Sequence, residues 1–117
     1  MRRASLMHEL SITESILEIA LRHAGGRRVS SVHLVIGELS SFVDESIQLY
    51  WQELTRGTLA EEAVLQFARE PGELLCLDCG RQFPVRTQDF LCPGCGSGSA
   101  VPARGKDCYV DSIEVLA

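Results

Sequence analysis

The sequence predicts an α+β fold in which two helices pack on a three-stranded sheet, with a zinc-ribbon-like four-cysteine domain inserted before the last strand. Three observations support this prediction: two amphipathic helical segments, three segments of β-like composition, and a doubled Cys-x2-Cys-Gly unit between the second and third strands. The length of 117 residues suits one main hydrophobic core and is too short for two. A terminal apolar strand needs a sheet to bury it, so we expect the chain to return to the sheet after the cysteine segment.

The first helix is predicted from Ser11 to His23, where apolar residues recur at helical spacing. Ser11 followed by Glu14 matches a capping box, in which side chains satisfy the exposed amide donors of a helix start. Gly25-Gly26 ends the pattern. Residues 1–6 show no clear structural pattern and are interpreted as an N-terminal extension.

Three segments are typical of strands: residues 29–37, 64–69 and 109–116. Pro71-Gly72 ends the second of them. A second helix is predicted between the first two strands, because Asp44-Glu45-Ser46 places negative charge where a helix N-terminus favours it and the pattern continues to Gly57. The apolar face of this helix consists of Ile47, Tyr50, Trp51 and Leu54.

The doubled cysteine unit predicts a structural zinc site. A two-residue gap lets both thiolates of a pair converge on one ion, and the glycine after each pair permits the tight backbone turn. Four thiolates close a tetrahedral site and leave no position for water or substrate, so this zinc would hold shape rather than catalyse. An iron centre of rubredoxin type and a redox dithiol pair are the alternatives. The predicted ligands are Cys76, Cys79, Cys92 and Cys95.

Composition argues against several functional classes. The net charge of −5 gives no global attraction to phosphate backbones, and the ribbon carries few basic residues beyond Arg81 and Arg86. A zinc-ribbon module that binds protein or nucleic acid therefore remains only the alternative function. For the preferred function we expect no nucleic-acid partner. No apolar run approaches a membrane span and no secretory signal is evident, so we expect a cytoplasmic protein. Cys108 is interpreted as a partly buried thiol outside the metal site.

Met7-His8-Glu9 is a second candidate metal site, just before the predicted first helix. If the chain began at Met7, its amine, the His8 amide nitrogen and the His8 imidazole could form adjacent chelate rings, which the Glu9 amide could complete. Nitrogen donors in one plane suit Ni(II) or Cu(II). His23 and His33 have no companion ligands nearby in the sequence and are interpreted as surface or packing residues.

Several motifs together resemble the HypA/HybF family of nickel chaperones, in their order and spacing from Met7 to nearly the end of the chain. These motifs are Met7-His8-Glu9-Leu10, Val35-Ile36-Gly37-Glu38-Leu39-Ser40, Gly57-Thr58, the paired cysteine units with Cys92-Pro93-Gly94-Cys95-Gly96-Ser97, and Ser112-Ile113-Glu114-Val115. The resemblance implies a protein that is not an enzyme and that inserts nickel into nickel-iron hydrogenase. It also implies a contribution to urease maturation in some organisms.

The resemblance further implies site roles and partners. His8 would be the essential nickel ligand, Met7 would supply the terminal amine, Glu9 would complete or tune the site, and the four cysteines would hold zinc that communicates with the nickel end. Expected partners are a GTPase of the HypB type, the hydrogenase large subunit and urease maturation proteins, with the chain a monomer or homodimer. One departure is the six residues before Met7, and we interpret Met7 as the true start.

The expected organisation has three parts. Residues 1–6 form the extension, residues 7–71 with 106–117 form the nickel-binding α/β domain, and residues 72–105 form the zinc-binding domain.

Overall fold

The computed structural model describes the backbone of residues 2–85 and 91–116, with side chains described from residue 9 onward in those ranges. These residues form two helices and two three-stranded sheets, with the four-cysteine segment before the last strand, which confirms the predicted fold class. The chain divides into two compact units. The first comprises Met1–Val35, Ser41–Ala68 and Cys108–Ala117, and the second comprises Ile36–Ser40 and Arg69–Asp107.

Helix α1 spans Arg2–Ala24, so the predicted start at Ser11 is wrong. Ser11 is exposed inside the helix and does not cap it, and Met7-His8-Glu9 lies within the helix rather than before it. The physical reason is that residues 2–10 contain mostly good helix formers and neither glycine nor proline, so nothing stops the helix from extending. The buried face has helical spacing and consists of Glu9, Thr13, Ile16, Ala20 and Ala24.

The C-terminal end of α1 agrees with the prediction. Gly25 and Gly26 both have positive φ, 58° and 86°, which a glycine adopts without steric cost. The Arg27 amide donates to the Ala24 carbonyl at 3.1 Å, which closes the turn into the first strand. The helix packs against the second helix and against the last strand of the chain.

Strand β1 spans Val29–Gly37, helix α2 spans Asp44–Leu54 and strand β2 spans Val64–Glu70. The Val29 amide donates to the Leu59 carbonyl at 2.9 Å and the Glu38 amide donates to the Glu70 carbonyl at 2.8 Å, so β1 and β2 run parallel. Parallel neighbours need a crossover connection, and α2 provides it. Ile47 and Trp51 are the buried residues of α2, and the Trp51 indole donates to the Ala63 carbonyl at 3.0 Å.

Three short strands form the sheet of the second unit, in the order β4-β3-β5. They are β3 at Glu73–Cys76, β4 at Gln82–Pro84 and β5 at Ala100–Arg104. None of the three strands predicted from the sequence corresponds to β5. Pro102 masked this strand in the sequence, but β5 is an edge strand, where a missing amide donor is tolerated. Both pairings are antiparallel, with Leu74 opposite Phe83 and opposite Pro102.

The last strand, β6, spans Cys108–Val115 and returns to the first sheet, whose order is β2-β1-β6. The Leu116 amide donates to the Arg28 carbonyl and the Gly37 amide donates to the Asp107 carbonyl, each at 2.8 Å, so β1 and β6 run antiparallel. The core of the first unit draws on the alternating residues of β1 that the sequence predicted, of which Val32 and Leu34 are almost completely buried.

The segment Ile36–Ser40 belongs to the second unit and contacts the rest of it through backbone and side-chain groups. The Leu39 amide donates to the Gly105 carbonyl at 2.8 Å, and the Glu38 carboxylate accepts the Gly72 amide at 2.7 Å. Leu39 packs on the small core of that unit, which contains Leu74, Cys76, Phe83 and Cys92. Over the described residues, no helix is both long and apolar enough to cross a bilayer.

Candidate functional site

The first cysteine unit is a tight turn at the end of β3. The Gly80 amide donates to the Cys76 carbonyl at 2.9 Å, and the Cys76 amide donates to the Arg81 carbonyl at 2.8 Å. Gly80 has a φ of 77°, in the left-handed region that favours glycine. This turn brings the Cys79 side chain back toward Cys76.

The second Cys-x2-Cys-Gly turn repeats the same hydrogen bonds sixteen residues later. The Gly96 amide donates to the Cys92 carbonyl at 2.8 Å, the Cys92 amide donates to the Ser97 carbonyl at 2.9 Å, and Gly96 has a φ of 76°. The Gly94 amide also points at the Cys92 sulfur, at 3.3 Å. Because the two turns match, each presents its pair of sulfurs in the same way.

The four cysteine sulfurs converge on one point. The sulfurs of Cys76 and Cys95 lie 3.6 Å apart, those of Cys79 and Cys92 lie 3.5 Å apart, and all four lie within 4.8 Å of one another. A tetrahedral zinc with Zn–S bonds of about 2.3 Å places its sulfurs about 3.8 Å apart. The cluster therefore has the size and donor set of a four-thiolate metal site.

The thiols of Cys76 and Cys92 have lowered pKa values, so they lose their protons more readily than an ordinary thiol. The backbone N–H of Cys79 is the largest influence on Cys76 and holds its pKa below the usual range. Burial alone would raise the pKa of Cys92, but the backbone N–H groups of Cys95 and Gly94, together with neighbouring thiols, lower it to about 6. Backbone amides thus supply the positive ends of dipoles to the thiolates.

The other two thiols keep their protons because of their neighbours. The Ser97 backbone N–H lowers the pKa of Cys95, but the surrounding thiols, Cys76 foremost, raise it to about 12. The Arg81 backbone N–H lowers the pKa of Cys79, but its net shift is upward because of Cys92 and burial. Four thiolates in one place repel one another, so a divalent cation is needed before all four can be deprotonated.

The surroundings of the cluster are asymmetric. Cys76 and Cys92 are buried, whereas Cys79 and Cys95 are exposed. The Arg81 side chain crosses the second turn, since a Cβ built on Gly94 would lie 2.9 Å from Arg81 Nη1. A guanidinium in this position offsets the excess negative charge of a four-thiolate site, which the sequence did not predict for Arg81. Cys108 lies half-buried in β6 and is outside the cluster.

The side chains of Met7 and His8 lie outside the described residues, so the structure places only their backbone, within α1. Glu9 is described and is 1% exposed. Its carboxylate accepts a hydrogen bond from the Val43 amide, directly before α2, and its backbone carbonyl accepts the Thr13 hydroxyl at 2.5 Å. The partner of Glu9 was missed, because Val43 is distant in sequence and contributes only its backbone.

The two other histidines occupy different environments. His23 is exposed near the end of α1. His33 Nε2 lies 2.8 Å from Glu114 Oε1, and the Ser31 hydroxyl donates to the same oxygen at 2.7 Å. The hydrogen bonds from His33 and Ser31 hold the pKa of Glu114 below its usual range. This cluster joins β1 to β6 across the sheet and gives Glu114 a structural role.

Comparisons with known proteins agree with one another. Residues 7–115 match the family model described as "Hydrogenase/urease nickel incorporation, metallochaperone, hypA". The chain is 44% identical over 109 residues to "Hydrogenase maturation factor HypA" of Geobacter metallireducens, covering 93% of this chain and 99% of the relative. The protein of the same name from Geobacter sulfurreducens is 43% identical over the same coverage.

The fold is similar to a solved structure as well. The solution structure of the Ni metallochaperone HypA from Helicobacter pylori superposes with a TM-score of 0.73 at 25% identity, covering 93% of this chain and 97% of that one. A second solution structure, of a HypA protein, gives a TM-score of 0.72. The similarity therefore extends over both compact units.

Proposed function

Because the chain belongs to the HypA family of nickel metallochaperones for hydrogenase maturation, we propose that it binds one Ni(II) ion at its Met7-His8-Glu9 end and delivers that ion to a nickel-iron hydrogenase. The family consists of metallochaperones and not enzymes, so nickel is cargo. The observation that carries the proposal is that the family match begins at Met7, which makes His8 its second residue.

Helix geometry supports a nickel site built from backbone nitrogens. The first four N–H groups of a helix have no intrahelical acceptor, so a helix beginning at Met7 leaves the amides of His8 and Glu9 available to a metal. In a helix beginning at Arg2, the same amides lie beyond the first turn and donate to carbonyls four residues earlier. The shorter chain should therefore bind nickel more tightly, in addition to its gain of a terminal amine.

Glu9 could serve the nickel site through its carboxylate or through its backbone nitrogen, and its environment favours the backbone nitrogen as the ligand. Its buried carboxylate is engaged with the Val43 amide, which favours a positioning role for the side chain. The Glu9 backbone nitrogen is then the atom that completes the nickel plane, after the Met7 amine and two nitrogens of His8. Planar nitrogen donors suit Ni(II).

For the four-cysteine cluster we propose zinc, held by Cys76, Cys79, Cys92 and Cys95. The sulfur separations of 3.5 and 3.6 Å and the turns at Gly80 and Gly96 fit a closed tetrahedral site. Zinc in such a site would cross-link the chain and would have no open coordination position. The cysteines and the small core around them would thus share the work of holding the second unit together.

The proposal extends to partners and location. A GTPase of the HypB type and the hydrogenase large subunit are the expected partners, with urease maturation proteins as a further client route, and the expected location is the cytoplasm. Membership in a hydrogenase maturation family supports a role within that machinery. The protein is proposed to act as a monomer or homodimer.

The test is calorimetric titration of Ni(II) into the zinc-loaded protein in four forms: the chain beginning at Met7, the full-length chain, and His8→Ala in each. We expect one-to-one binding by the Met7 form, weaker binding by the full-length form, and loss of binding in both His8→Ala variants. His23→Ala is the matched control, because His23 is an exposed histidine of the same helix, and it should bind as the parent does.

Two results would contradict the proposal. Binding that survives His8→Ala would assign the nickel to other ligands. No binding by either parent would leave a four-cysteine protein whose cargo is not nickel.

A further inference from the structure

An open groove lies between helix α2 and strand β2 in the first unit, and we name it the α2 groove. Its volume is about 480 Å³, within the range of about 300–1,000 Å³ that is typical of ligand pockets. It is lined by Asp44, Glu45, Gln48, Leu49 and Phe67. Neither metal site includes any of these residues.

The apolar part of the groove is exposed to solvent and is not used to pack α2 on the core. Leu49 is 64% exposed although it lies in the middle of α2, whose core contacts are made by Ile47 and Trp51. Val43, directly before the helix, is 48% exposed. Single exposed apolar residues are ordinary, but Leu49 lines a concave surface together with the half-buried Phe67, and Val43 directly precedes the first lining residue in the chain.

The polar part of the groove carries negative charge. Asp44 and Glu45 occupy the first turn of α2 and line the groove. The Glu45 side chain is exposed, so its carboxylate contributes negative charge to the rim of the groove. A partner therefore needs an apolar group for the groove and cationic groups for its rim.

The lining residues of α2 form two rows along the helix, Asp44 with Gln48 and Glu45 with Leu49, each four residues apart. Such rows are the ridges against which a second helix packs. An amphipathic helix with leucine-like side chains one turn apart and lysine or arginine on its edge matches both the shape and the charge of the groove.

The groove is next to the end of α1 that carries the proposed cargo site. The Val43 amide, at the start of α2, donates to the buried carboxylate of Glu9, which directly follows His8. The backbone that begins the groove is thus hydrogen bonded to the residue beside the proposed nickel ligand. A protein docked here would be held close to the cargo.

We propose that the α2 groove is the docking surface for a basic amphipathic helix of a partner protein, and that this partner exchanges nickel with the chain. The second half of this statement rests on the proposed function, whereas the docking itself does not. Apolar contact with Leu49 and Phe67 supplies the attraction, and Glu45 selects for a cationic partner.

The probe is a synthetic helical peptide of about 15 residues, made of leucine, lysine and alanine with leucines at helical spacing. It is titrated into isotope-labelled, zinc-loaded, nickel-free chain, and binding is followed by NMR. We expect amide shifts concentrated at residues 43–49 and at Phe67, and a dissociation constant that rises with salt. Leu49→Ser should raise that constant about tenfold or more, and Glu45→Lys should raise it several-fold.

Matched controls test each contribution separately. Leu116→Ser removes another half-exposed leucine of the first unit, and Glu14→Lys makes the same charge change on α1, so both should bind the peptide as the parent does. A peptide of the same composition with its leucines spread around the helix should not bind. The proposal is overturned by shifts outside the groove, by shifts that follow the β2 backbone alone, or by binding that ignores Leu49→Ser. Because nickel is absent throughout, neither this result nor the nickel titration decides the other.

Discussion

At the scale of single residues, Glu9 shows why the same residue can be assigned to a site from sequence and to the core from structure. A carboxylate beside a candidate metal ligand suggests coordination, but Glu9 is 1% exposed and accepts the Val43 amide. A buried carboxylate must be hydrogen bonded, since leaving it without partners costs several kcal/mol. The sequence contains a signal for this: Glu9 has helical spacing with the buried residues Thr13 and Ile16.

Replacing Glu9 should destabilise the first unit according to what the new side chain can accept. Glu9→Ala leaves the Val43 amide without its acceptor and should lower the free energy of unfolding by about 1–3 kcal/mol. Glu9→Gln keeps an oxygen at similar reach and should cost less. The measurement is urea unfolding followed by the fluorescence of Trp51, which lies in the same unit.

The control for this series is Glu14→Ala, which truncates an exposed glutamate of the same helix and should change the free energy of unfolding by less than about 0.5 kcal/mol. Equal stability of Glu9→Ala and Glu14→Ala would show that the contact with Val43 contributes nothing.

At the scale of elements, the sequence predicted the helices and strands whose apolar residues alternate or recur at helical spacing because one side faces the core. β1, α2, β2 and β6 were found close to their predicted positions, because alternation and helical spacing record which side faces the core. The start of α1 was misplaced because a capping box is a local signal, and the good helix formers before Ser11 outweigh it. The strands of the second unit were missed because they are short and hold few apolar residues.

The candidate sites differ in the same way. The spacing of the four cysteines is a local signal, and the structure brings their sulfurs together. The crossing of Arg81 over Gly94 and the hydrogen bond from Val43 to Glu9 depend on residues far apart in the chain, or on backbone groups, which sequence patterns do not mark.

One close approach between elements yields a prediction. A Cβ built on Gly37 would overlap the carbonyl group of Gly105, while the Gly37 amide donates to the Asp107 carbonyl at 2.8 Å. Gly37→Ala therefore forces backbone apart and should cost about 1–3 kcal/mol of stability. The measurement is thermal unfolding of zinc-loaded protein, with amide exchange of Leu39, which donates to Gly105, as the local reporter.

Gly98→Ala is the matched control for Gly37→Ala. Among the described residues, a Cβ on Gly98 would meet only Leu91 Cδ2, at an ordinary 3.6 Å, so the substitution should be close to neutral. If Leu39 exchanges equally in both variants, the contact between Gly37 and Gly105 does not stabilise this part of the chain.

At the scale of the whole molecule, the two units rely on different sources of stability. The first has buried side chains from both helices and its sheet, including the only tryptophan of the chain. Among the described residues, the second unit has a buried cluster of Leu74, Cys76, Phe83 and Cys92, and two of these four residues also belong to the metal cluster. We therefore expect the second unit to depend on a bound metal ion for its folding.

Removing the metal should therefore unfold the second unit and leave the first intact. With excess chelator at neutral pH, we expect the amides of Cys76 and Leu77, which donate to the Arg81 and Ser99 carbonyls, to lose protection from hydrogen exchange. The emission of Trp51 should stay that of a buried indole, because Trp51 and the Ala63 carbonyl that accepts its indole N–H both lie in the first unit. Restoring zinc should restore the protection, which separates metal loss from irreversible damage. A red shift of Trp51 on chelation would instead mean that the units unfold together, and unchanged protection of Cys76 would mean that its short sheet is stable without metal.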